Sequence, residues 1–335
     1  MNKRDLLLWL TAECGELPAA LIKDCLGSQS YAAALITELK KDGAISVRSR
    51  DGLKGYVLRT KGRKELSEKY PEEYTAFCAR QRNWGHVKSD LCKRLRMHRT
   101  AMALVFFYRH GAGVFSWEKP RFPPAPDQLS GVPSYYQAAE VKGGSDKVTG
   151  SRACGLLAAR ERAFVVYHTM ERRMKWSVKM ETAMKTFAEN RLWRQGWQNS
   201  ADALMIGNTM GELRMLLKSD GGFRGGLFRL DEAYEHYYFL PMEADCRVQL
   251  ALLTDRRARE RLACFLGEDS SHFCCELDLW GLIYTAREID RHGGGTVYCL
   301  DCQAEALRSF FGDAAAVKPL SGEKVMKFLK GGDGK

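Results

Sequence analysis

The residues best suited to chemistry in this 335-residue chain are Pro126-Asp127, then twelve others, then Glu140-Val141-Lys142. In an extended segment, side chains two apart face the same way, so Glu140 and Lys142 would project together while Asp127 approaches from a neighbouring segment. Asp127 and Glu140 would offer hard oxygen ligands to Mg²⁺. The metal would lower the pKa of its bound water and stabilise charge on a scissile phosphate, with Lys142 positioning the nucleophile. The reaction would be hydrolysis of a phosphodiester. Glu161, Glu171 and Glu181 are alternative acids, because they lie within or just after the hairpin expected from SRACGLLAARERAFVVYHTM.

Other chemistries find less support. The seven histidines never form the His-x-His pair used by metal-dependent single-strand relaxases. Tyr135-Tyr136 and Tyr237-Tyr238 could in principle attack a phosphate, but adjacent tyrosines in apolar surroundings are expected on opposite faces of a strand. The glycines of SDGGFRGG lack the lysine and hydroxyl residue of a nucleotide-binding loop. Cys299 and Cys302 form a CxxC with no second pair at zinc-finger spacing, and Cys274-Cys275 has the wrong spacing to serve as one, so core thiols are expected. Eleven scattered cysteines, an odd number, fit reduced thiols in a cytoplasm. No apolar run is long enough for a bilayer and no secretory leader is read, so membrane insertion is not expected.

The elements that must position these residues follow from charge and periodicity. The net charge is +11, and residues 1–100 carry 20 Lys and Arg against 12 Asp and Glu. Lys40 to Lys64 holds nine bases and two acids, and Arg80 to Arg99 holds seven bases and one acid, the footprint expected of binding to a phosphate backbone. Three short helices are predicted over residues 4–14, 18–26 and 30–41, closed by Gly15, Gly27 and Gly43, with Ser28 or Ser30 as a cap. Asp51-Gly52 then predicts a tight hairpin, and a fourth helix runs from Lys61 to about Tyr70. Residues 76–134 read as a basic helical and proline-rich connector in which 118–134 is irregular. Residues 135–330 alternate strand and helix patterns as one α/β domain.

The order of three helices, a basic hairpin and Thr60-Lys61-Gly62 resembles bacterial winged helix-turn-helix domains, over residues 1–75. That resemblance implies a third helix in the major groove offering Ser30, Tyr31, Thr37, Lys40 and Lys41, with little base-reading chemistry at Ala32 to Ala34. It implies phosphate contacts from Arg48, Arg50 and Lys54 on the wing and from Arg59, Lys61 and Arg63 behind it. A protein-binding use of the same module stays open.

The Asp127, Glu140 and Lys142 pattern matches the motif of PD-(D/E)xK nucleases, although the lysine-bearing strand usually comes third there and Glu140 precedes the hairpin. Through YYQAAEVK, GSRACGLL, FVVYHTMERRMKWSVKMET and ALMIGNTMGEL, the chain is similar to replication-relaxation proteins of Gram-positive plasmids and integrative elements. That resemblance implies an α+β and α/β fold, a winged helix followed by a mixed-sheet nuclease-like domain, and work in DNA processing, mobilisation or replication. It singles out Glu140, Lys142, Ser151, Arg152, Lys175, Trp176 and Glu181. DNA is the expected partner, alongside a second copy or other mobile-element proteins, and Mg²⁺ the cofactor if the site is intact. The alternative is a non-enzymatic regulator whose larger domain oligomerises or senses; a third is a structural role using the basic face on a protein or RNA.

Overall fold

Capping residues and left-handed glycines divide the N-terminal region into short helices. A computed structural model describes residues 1–80, 90–143, 145–169, 177–218, 232–266 and 272–331. Helix α1 (Lys3–Cys14) starts where the Asn2 side chain accepts from the Asp5 amide and stops at Gly15. Helix α2 (Ile22–Leu26) ends at Gly27, whose φ of 81° places it in the left-handed region. Helix α3 (Gln29–Lys41) starts at Ser28, whose hydroxyl accepts from the Tyr31 amide. Strands β2 (Ile45–Arg50) and β3 (Leu53–Leu58) form the expected hairpin. Asp51 and Gly52 both have positive φ, as the tight turn demands. A two-residue strand β1 (Leu17–Pro18) completes a sheet of order β1-β3-β2. Helices α4 (Thr60–Lys69) and α5 (Pro71–Arg80) then pack Tyr70, Tyr74 and Phe77 around the fully buried Trp9 of α1.

The segment expected as a connector contains α6 (Leu91–Arg109). Its apolar half, Ala101 to Phe107, is buried, except that Met102 is only partly so, in a core that runs from α1 through α6 to one face of a five-stranded sheet. That sheet is mixed, as expected, with order β4 (Ser134–Gln137), β5 (Gly155–Ala158), β6 (Ala163–His168), β7 (Asp202–Gly207) and β8 (Tyr237–Pro241). The first three strands are antiparallel, and β6, β7 and β8 are parallel. Side chains alternate strictly. Tyr135, Leu157, Phe164, Val166, Leu204 and Ile206 face the α6 side, whereas Tyr136, Leu156, Val165, Tyr167, Ala203 and Met205 face helices α8 (Val178–Trp193) and α9 (Met210–Lys218). Tyr237 and Tyr238 likewise divide between the two cores. Both tyrosine pairs are therefore core residues.

Beyond β8, helices α10 (Arg247–Thr254), α11 (Arg256–Leu266), α12 (Leu279–His292), α13 (Ala304–Phe311) and α14 (Gly322–Lys330) surround a small parallel sheet of order β11-β10-β9. Its strands are β9 (His272–Phe273), β10 (Gly295–Leu300) and β11 (Ala315–Leu320). Among the described residues, no helix is long and apolar enough to cross a membrane.

Candidate functional site

The basic residues expected to meet phosphates divide into two groups. Tyr31, Thr37, Lys40 and Lys41 on α3, Arg50 and Lys54 flanking the hairpin turn, and Arg59 and Lys61 after it are exposed. Ser30 is exposed at the start of α3, beside the Ser28 hydroxyl. Arg50 pairs with its exposed neighbour Asp51, at 3.3 Å. Arg48 and Arg63 are half-buried. Arg48 donates to the Glu16 carboxylate at 2.9 Å, so its guanidinium braces the hairpin from below and does not stand out as the free phosphate contact expected of it.

That carboxylate is the centre of a buried ionic cluster the sequence did not announce. Glu16 and Arg94 are both fully buried. Arg94 of α6 grips Glu16 with Nη2 at 2.5 Å and Nε at 3.1 Å, and reaches the carbonyls of Arg50 and Leu53 at 3.3 Å each, on either side of the turn. His98, one helical turn further on, places Nε2 3.0 Å from Glu16. Burial alone would raise the Glu16 pKa. Hydrogen bonds and charge from His98 and Arg94 outweigh it and hold the carboxyl down at about 2. Strand β3 passes so close that a Cβ on Gly55 would stand 2.7 Å from the Glu16 side chain. The hairpin is thus tied to α6 rather than hinged on it.

The acid and lysine set is placed differently from its expectation. Residues Ala138–Lys142 form a single-turn helix, α7, rather than a strand. Two positions along a helix turn the side chain by roughly 200°, so Glu140 and Lys142 point apart. Glu140 caps its own helix by accepting from the Gln137 amide at 2.8 Å, and pairs with the buried Lys119 ammonium at 3.0 Å. Lys142 instead donates to the Ser151 carbonyl at 2.9 Å. Asp127 is exposed in a turn of 3-10 helix, Pro126–Gln128. The paired-carboxylate Mg²⁺ site expected at Asp127 and Glu140 therefore does not fit these residues. Among the described residues, no group of three His, Cys, Asp or Glu side chains is arranged to hold a metal.

Lys142, Ser151, Arg152 and Glu181 are brought together. Glu181, in the first turn of α8, is fully buried and accepts from the Ser151 hydroxyl at 2.7 Å, the Arg152 amide at 2.9 Å and the Tyr167 hydroxyl at 3.0 Å. Tyr167 in turn meets the Tyr234 hydroxyl at 2.8 Å. Burial pushes both phenols well above their ordinary range, so they serve as neutral donors. The charge of Arg96 on α6 acts on Lys142, and that of Arg99 on His168. Burial lowers the Lys142 pKa, and the charges of Arg96 and Arg152 lower it further against the pull of Glu181. Burial also lowers that of Arg99, again with Arg152 and Arg96 adding to it. His168, at the end of β6, is held neutral by burial and by Arg99, its pKa pushed down to about 3.

The remaining residues fall elsewhere. Glu161 is exposed in the β5–β6 turn, and Glu171, Lys175 and Trp176 lie outside the described residues. Cys274, just past β9, and Cys299 on β10 are buried, and burial raises both thiols to about 12. Cys302 is exposed just past β10. No family model, curated protein or solved structure matches the chain.

Proposed function

We propose that this chain is a DNA-binding protein whose first 75 residues form a winged helix that anchors on duplex backbone. The observation that carries this reading is the hairpin. Arg50 and Lys54 are exposed on either side of its turn, Lys40, Lys41, Arg59 and Lys61 are exposed on the chain leading into and out of it, and Arg94 and Glu16 hold the turn from within. Fixed cations on such a ribbon set position rather than sequence, and the exposed face of α3 bears Ala33, Ala34 and Thr37, which offer few hydrogen bonds to base edges. The resemblance to replication-relaxation proteins supplies the setting, DNA processing on a plasmid or integrative element.

Between a nuclease and a non-cleaving protein, the non-cleaving role is favoured by one observation. The carboxylate and amine of the expected motif are spent on a helix cap, an ion pair and a backbone carbonyl. Binding of a labelled duplex, followed by anisotropy as salt rises from about 50 to 200 mM, tests the binding. Affinity is expected to fall steeply with salt, and a double variant Arg50→Ala/Lys54→Ala to flatten the dependence. Binding that is absent or indifferent to salt overturns the reading. Incubation of supercoiled plasmid with the protein and Mg²⁺ is expected to leave it intact. Nicking that disappears in Glu140→Ala and in Lys142→Ala would restore the nuclease.

A further inference from the structure

Helix α12 turns aromatic rings to the outside. Trp280 and Tyr284 are 42% and 58% exposed, and Arg287 and Arg291 are exposed further along the same helix. Resting on the DNA-binding reading for the kind of ligand, we propose that this face is a track for single-stranded DNA, on which bases stack against Trp280 and Tyr284 while Arg287 and Arg291 hold phosphates.

Three observations lead there. The first is register. At 3.6 residues per turn, Tyr284, Arg287 and Arg291 lie within about 40° of Trp280 around the helix axis, so the four side chains form one line. Leu279, Leu282 and Ile289 occupy the opposite half of α12 and are buried, which sets that line toward solvent. The second is charge. The charged residues on the line are both cations, and the acids Glu288 and Asp290 fall about 80° to either side of it. Arg291 pairs with Glu288 at 2.7 Å, but its side chain is 71% exposed, and water and salt weaken such a pair so that a phosphate can replace it. The third is area. Two rings about half exposed offer on the order of 200 Å² of apolar surface. A stable protein interface needs roughly 800 Å² on each side. The face is too small for a protein partner and large enough for stacking, which takes one ring face per base. Spacing agrees with this, because Trp280 and Tyr284 are about 6 Å apart along the axis, close to two steps of a stacked strand at roughly 3.4 Å each. The platform is also fixed. Asp278, the cap of α12, accepts from the Trp280 amide at 3.3 Å and meets His236 Nδ1 at 2.7 Å, which ties the start of the helix to the chain entering β8.

The test uses the full-length chain, a labelled oligothymidylate of about 15 nucleotides and the labelled duplex, with binding followed by anisotropy. All four residues are exposed, so their replacement leaves the core intact. Trp280→Ala/Tyr284→Ala is expected to weaken oligothymidylate binding about tenfold or more and to leave duplex binding unchanged. Trp280→Phe/Tyr284→Phe, which keeps a ring at each position, is expected to retain most of the affinity. Arg287→Ala/Arg291→Ala is expected to lower the slope of log affinity against log salt by about 1.4, the single-strand value for two cations. If the wild type binds duplex but not oligothymidylate, the track is wrong and the DNA-binding reading stands. The same holds if Arg50→Ala/Lys54→Ala abolishes oligothymidylate binding that Trp280→Ala/Tyr284→Ala leaves intact. If the phenylalanine pair loses as much as the alanine pair, the effect is structural and the track is again overturned. If the alanine pair dissolves a dimer in sedimentation velocity while oligothymidylate binding persists, the face belongs to a second copy of the chain and the track falls. If the wild type binds neither nucleic acid, both readings fall.

Discussion

Glu16 is a fully buried carboxylate among three cationic side chains. Its oxygens meet Arg94, Arg48 and His98 with no solvent access, and Gly55 leaves them just enough room. Removing one partner of a buried ion pair strands the other charges, so Glu16→Ala is expected to cost about 3 kcal/mol or more, read as a lower urea midpoint with unchanged slope. Gly55→Ala should act on the same group from outside. The added methyl would displace the carboxylate, at about 1–3 kcal/mol. The pH dependence has a definite sign. The folded-state carboxyl titrates near 2, below its unfolded value of about 4.3, so its stabilisation is complete above that value and is lost as pH falls from about 4 through 2. Urea midpoints measured across that window should fall more steeply for wild type than for Glu16→Gln. Equal slopes would show that Glu16 is not the group responsible.

At the scale of elements, the short β5 strand depends on Gly155, where a Cβ would stand 2.2 Å from the Tyr136 carbonyl and 2.7 Å from the Tyr135 ring. Both are backbone or buried aromatic, so Gly155→Ala is expected to part β4 from β5, lowering the melting temperature by several degrees in a circular-dichroism melt. The parts of the fold legible in the sequence were those with local causes. Gly27, Ser28 and Asp51-Gly52 act on their immediate neighbours, and α3 and the hairpin fall where expected, whereas the second helix, expected from Pro18, starts at Ile22 after a 3-10 turn, with Pro18 paired into β1. The exception, residues 138–142, is instructive. An acid two before a lysine suggested a strand, but Glu140 stands three after Gln137 and just before Gly143, the pattern of a capped single turn. The Glu16 cluster was not legible because its partners lie 32, 78 and 82 residues further along, and no periodicity connects them. Glu181 and Ser151 were named in advance, yet their meeting required the fold.

Across the whole molecule, α6 makes the helical N-terminal region and the five-stranded sheet share one apolar core, with Leu7, Phe106, Tyr135 and Val166 all fully buried within it. The two regions are therefore expected to unfold in a single transition. Far-ultraviolet circular dichroism and the fluorescence of Trp9, isolated by replacing the other tryptophans, should give coincident melts, and a separate early tryptophan transition would disprove the shared core. Arg94 has a consequence during synthesis as well. The hairpin is complete at Leu58, but the guanidinium that fastens it is supplied 36 residues later. At roughly 5–20 residues per second, the ribosome delivers that helix about 2–7 s after the strands it secures. A nascent chain stalled between Leu58 and Arg94 would hold Glu16 without its main counter-ion, and the order of translation would set when the ribbon first becomes rigid.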